Sequence, residues 1–136
     1  MTHVKSFIAG FASTLVFHQG LLALLYAAGA SARAPWNMTP VPPFNAPAVI
    51  SLAFWGGVWG IVLWALMRAS RGAAYWAKAL GIGALGPSSV AWFVVMPMKG
   101  MGVAGGWDPK IIVGALLVNG AWGLGVALLM RLLNRV

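Results

Sequence analysis

Residues 110–132 read KIIVGALLVNGAWGLGVALLMRL. Between Lys110 and Arg131 every residue is apolar or small except one amide, Asn119. A helix needs about 20 such residues to cross roughly 30 Å of hydrocarbon, so the stretch predicts a transmembrane helix. Asp108-Pro109 just before it places an acid at the cap and a proline at the first helical position. Working outward, three more stretches share this character: 6–29, 46–68 and 74–97. The expected fold is therefore an all-α integral membrane protein, one transmembrane domain over 1–136, with four helices in an up-down bundle.

Composition agrees. The 136 residues are 61% hydrophobic and 7% charged, against about 45–50% and 25% in soluble domains. Mean hydropathy is +0.87. A single acidic residue, Asp108, stands against nine Lys and Arg, too few pairs for a salt-bridged soluble surface. The absence of cysteine excludes disulfides, Cys-type zinc sites and thiol nucleophiles.

The connections are short. Residues 30–45 carry Pro35, Pro40, Pro42 and Pro43 and should be extended, with Asn45 able to cap the second helix and Pro47 in its first turn. Ala69-Ser70-Arg71-Gly72 should force the second and third helices into a hairpin. The third connection is glycine-rich. Its Gly100-Met101-Gly102-Val103-Ala104-Gly105 matches the dinucleotide-binding fingerprint in letters, but that motif needs a preceding strand and a following helix.

Charge gives orientation. Lys5, Arg68, Arg71, Lys78, Arg131 and Arg135 fall on one side of four spans; Arg33, Lys99 and Lys110 fall on the other. The positive-inside bias then puts both termini in the cytoplasm, in a bacterial-type inner membrane. Cations split across a bilayer do not make a nucleic-acid face, so no nucleic-acid partner is expected. Trp36 and Trp107 should lie at the outer interface, Tyr75 and Trp76 at the inner one. Ala30-Ser31-Ala32 resembles a signal-peptide cleavage pattern, yet the preceding apolar run exceeds the 7–15 residues of such a segment, so a retained helix is expected.

A weak repeat runs through the chain. Trp59-Gly60 followed by Leu66-Met67-Arg68 recurs as Trp122-Gly123 followed by Leu129-Met130-Arg131, at identical spacing. Two tandem hairpins related as a parallel repeat would produce it, and so would convergence on common membrane residues.

Polar side chains inside the spans are the candidates for chemistry. His18 and Gln19 near the centre of the first span, Ser88 and Ser89 in the third and Asn119 in the fourth share one depth, with Thr14 a turn before His18. Exposed to lipid they would be costly, so they are expected to face one another. Such a cluster is either a midplane solute site or proton relay, or a set of interhelical hydrogen bonds. No Asp or Glu lies within a span, which disfavours proton-coupled export, and one acid excludes paired-carboxylate hydrolysis. No enzymatic activity, metal or cofactor is expected.

Small residues line the helices. Gly56 and Gly60 form a GxxxG pair, and Ala77 with Gly81 and Ala121 with Gly125 extend small faces to the third and fourth helices. In lipid such faces let backbones approach closely. Trp59 and Trp122 stand beside them, either as knobs over glycines or as walls of a slot for a planar hydrophobic ligand. Three function classes follow. The preferred one is a non-enzymatic protein assembling through these faces into a homo-oligomer or with other membrane subunits. The others are a small-solute transporter or channel built around His18, and a subunit holding a planar cofactor.

Overall fold

The computed structural model describes residues 2–135. Four helices are long and apolar enough to cross a membrane: α1 (Thr2–Ala27), α2 (Ala48–Met67), α3 (Ala73–Met98) and α4 (Pro109–Leu133). The chain is all-α apart from one antiparallel pair of two-residue strands, β1 (Pro40–Val41) and β2 (Ala46–Pro47). Helix α4 begins as its sequence dictates. Asp108 is the cap, its carboxylate accepts the Lys110 backbone N–H at 3.0 Å, and Pro109 needs no partner.

The first connection is more structured than an extended linker. Asn45 does not cap α2; it lies at φ 56 in the turn between β1 and β2, and Pro47 precedes the helix without a side-chain cap. Asn tolerates the left-handed region, and the turn makes use of that. In the third connection Ala104–Trp107 makes a single turn, with Gly105 at φ 64 and Gly106 at φ 82. No strand precedes the glycines there, so the fingerprint lacks its context.

Helix packing follows the glycines more than the loop lengths. At the α1–α2 crossing a methyl on Gly10 would strike the Gly56 carbonyl, and one on Gly60 the Ser6 carbonyl. At the α3–α4 crossing a methyl on Gly123 would strike the Ala79 carbonyl, and one on Gly83 would lie 2.7 Å from the Gly123 Cα. Both crossings are backbone on backbone. Helices α2 and α3, though joined by the shortest link, meet more loosely. Trp64 packs edge-on against Tyr75, and Trp59 covers Gly86. A short link fixes only the helix ends, and the indoles of Trp59 and Trp64 keep the axes apart where glycines would admit contact.

Between the pairs, α1 lies on α4. Trp122, only 2% exposed, donates its indole N–H to the Gly10 carbonyl at 3.1 Å, and Ser13 donates to the Trp122 carbonyl at 2.7 Å. Gly125 lets Ser13 and Phe17 approach. The core beneath gathers Leu63, Met67, Tyr75, Val126 and Met130, and the Tyr75 hydroxyl donates to the Ala127 carbonyl at 2.6 Å.

Candidate functional site

Helix α1 departs from α geometry at Thr14–His18, where it widens into a π turn. The Gln19 N–H reaches back to the carbonyls of Thr14 and Val16 instead of that of Leu15. Leu15 thereby loses its ordinary donor and leaves a free acceptor at mid-helix. The Trp36 indole N–H takes that acceptor at 2.9 Å. The backbone N–H of Trp36 then donates to the Gln19 side-chain oxygen at 2.7 Å. On its other side the Gln19 amide donates to His18 Nδ1 at 3.0 Å. A single loop residue is thus clamped twice onto the widened turn. Trp36 sits at φ 49, a conformation a bulky residue holds only when its surroundings enforce it.

The remaining polar groups go elsewhere. The Asn119 amide donates to the Ser88 hydroxyl at 2.9 Å, Ser88 being fully buried between α3 and α4. Thr14 donates to the Gly10 carbonyl at 2.9 Å, and its hydroxyl fills the space beside Gly56. Ser89 is exposed and bonds back to the Leu85 carbonyl one turn earlier. So the structure joins Ser88 to Asn119 and His18 to Gln19, and among the described residues no hydrogen bond connects the two pairs.

A second wide turn, Ala91–Val95, interrupts α3 just before Pro97. The Met96 N–H reaches the Ala91 carbonyl there, and a proline ring so close downstream clashes with strict α geometry. Nearby the indole nitrogen of Trp92 is buried without a hydrogen-bond partner.

The packing residues also divide. Gly56, Gly60 and Gly125 are closed by other helices of the chain, Trp59 lies over Gly86 and Trp122 over the Gly10 carbonyl. Gly81 has no atom within 4 Å of where its Cβ would be. Two contributions were not legible from sequence: the clamp made by Trp36, expected only at the outer interface, which depends on a helix distortion no local pattern encodes, and the close contact at Gly10. For Gly10 a signal did exist. Ser6, Gly10 and Thr14 recur at four-residue spacing, the same small face that marks Gly56 and Gly60. Among the described residues no group of three or more His, Cys, Asp or Glu could hold a metal ion. No protein-family model, curated protein or solved structure matches the chain.

Proposed function

We propose that the chain is a non-enzymatic membrane protein whose four helices span a bacterial-type inner membrane in up-and-down order. Both termini lie in the cytoplasm, and copies assemble through the small-residue face of α3. The spanning reading is supported by four long apolar helices and by large side chains, such as Leu66, Leu85 and Val113, exposed along them. The residue pairs at each crossing favour the up-and-down order, with Ser6 and Thr14 of α1 against Gly60 and Gly56 of α2. The charge split of the sequence favours the orientation.

One observation carries the assembly. Gly81, four residues after exposed Ala77, has no neighbouring helix within 4 Å of where its Cβ would be, whereas the glycines at the crossings are each closed from within. A flat face of this kind lets a second helix approach closely, and in lipid packing is the main attraction between helices. The polar side chains support a structural role, since Ser13, Ser88, Asn119 and Tyr75 hold neighbouring helices in register. The solute-path reading is weakened because His18 and Asn119 have separate partners. The planar-ligand reading is weakened because Trp59 and Trp122 already fill the glycine gaps.

The test is the protein's mass in mild detergent. The native chain should run as a multiple of 14.2 kDa, and Gly81→Leu should run as a monomer with an unchanged melting temperature. A native chain that stays monomeric at every concentration would remove the assembly reading. A reporter active on the periplasmic side when fused to the C-terminus would reverse the orientation.

A further inference from the structure

Along α4 runs a lateral groove of about 410 Å³, lined by Phe17, Trp76, Ala121, Leu124, Gly125 and Leu128. Its lining is apolar and it opens to the surface. Arg131 lies outside this lining, one turn after Leu128 on α4 and against Trp76. The guanidinium carbon lies 5.2 Å from the centroid of the Trp76 ring and 4.6 Å from that of Tyr75. Because the Tyr75 hydroxyl is bonded to the Ala127 carbonyl, this aromatic seat is fixed. A guanidinium held against aromatic rings, with five N–H groups, still has donors for a further acceptor. The chain has no acid to offer, since Asp108 caps the opposite end of α4.

We propose that this groove holds one acyl chain of an anionic phospholipid, with the lipid phosphate on Arg131. The inference rests on the membrane-spanning reading above. Dimensions favour it: Ala121 to Arg131 is ~15 Å along a helix, half of the roughly 30 Å hydrocarbon layer. The groove, about 10 Å long from Ala121 to Leu128, and the cation one turn beyond it together match the depth of one leaflet. A second groove of about 330 Å³ lies at the other end of α4, beside Lys110. There the one acidic residue, Asp108, stands two residues from Lys110 in sequence, its carboxylate on the Lys110 backbone N–H, so charge complementarity favours the Arg131 groove.

The experiment is reconstitution into nanodiscs of mixed phosphatidylglycerol and phosphatidylcholine, followed by release and native mass spectrometry of the lipid retained. The native chain should keep one phosphatidylglycerol in preference to phosphatidylcholine. Arg131→Gln should lower that preference about fivefold, the weight of one cation at an anionic membrane surface. Arg135→Gln removes the same charge away from the groove and should leave the preference in place. Ala121→Phe, which blocks the deep end, should release both lipids while the melting temperature confirms folding. Equal loss from Arg131→Gln and Arg135→Gln would mean unspecific surface attraction and overturn the site. Retention unchanged in Ala121→Phe would overturn it too. A native chain that enters nanodiscs but shows no preference removes this site alone. A chain that does not enter them removes the spanning reading and the site with it.

Discussion

At Gly60 and Gly123 a single methyl group has nowhere to go, because the carbonyls of Ser6 and Ala79 already occupy the place of a Cβ. Neither obstacle is the tip of a flexible side chain; both are helix backbone, so relief requires separating two helices. We expect Gly60→Ala and Gly123→Ala each to cost about 1–3 kcal/mol, the usual penalty of overpacking. Gly20 and Gly114 are open and make the control. Alanine there removes the entropic cost of a helical glycine and should add about 0.5–1 kcal/mol. Melting of the four variants in one detergent decides the matter, and equal behaviour of the two pairs would mean that the crossings are not tight. The glycine pair of α2 was legible from its spacing. The pairing partner was not, because spacing tells which face of a helix is small and says nothing of which helix lies against it.

Hydropathy made the helices legible to within a few residues at most ends, since four apolar lengths leave the backbone few alternatives. It could not show the interruptions inside them. The π turn at Thr14–His18 exists together with its tertiary partner, Trp36, which takes the carbonyl the turn releases. Trp36, read from sequence as an interface residue, also ties the first connection to the middle of α1. Asn45 went astray likewise: a cap and a hairpin turn ask for the same residue type, and the β1–β2 pairing decides between them. If the clamp orders this loop, Trp36→Phe and Gln19→Leu should each raise amide exchange across 36–49 about fivefold, in line with ~1 kcal/mol for one hydrogen bond. Exchange in α3 and α4 should stay as it was. A loop equally protected in both variants would show that β1–β2 holds it without help from α1.

Considered whole, the molecule is two tight hairpins, α1–α2 and α3–α4, and their correspondence goes beyond the repeated letters of the sequence. Gly60 lies against Gly10 and Ser6 as Gly123 lies against Gly83 and Ala79. Trp59 of the first hairpin covers Gly86 of the second, and Trp122 of the second lies on Gly10 and Ser13 of the first. This reciprocity supports the parallel-repeat proposal, because convergence on favoured membrane residues gives no reason for each tryptophan to reach across to the other half. The interface between halves has Leu63, Met67, Val126 and Met130 at its heart beside the Ser13 and Trp122 hydrogen bonds, and the link Arg68–Gly72 contributes only local bonds, the Arg68 N–H to the Trp64 carbonyl and the Ser70 N–H to the Met67 carbonyl. Connection is therefore a small part of what holds the halves together. Residues 1–70 and 71–136 expressed as separate chains should associate in the membrane and co-purify. Trp122→Ala should weaken that association by more than tenfold, since it removes both the buried ring and the donor to Gly10. In the uncut chain the same substitution should lower the melting temperature and leave the protein folded, because the link keeps the effective concentration of the halves high. Halves that fail to find each other, though each is stable in the membrane, would show that the loop carries the fold and that the two-hairpin account is wrong.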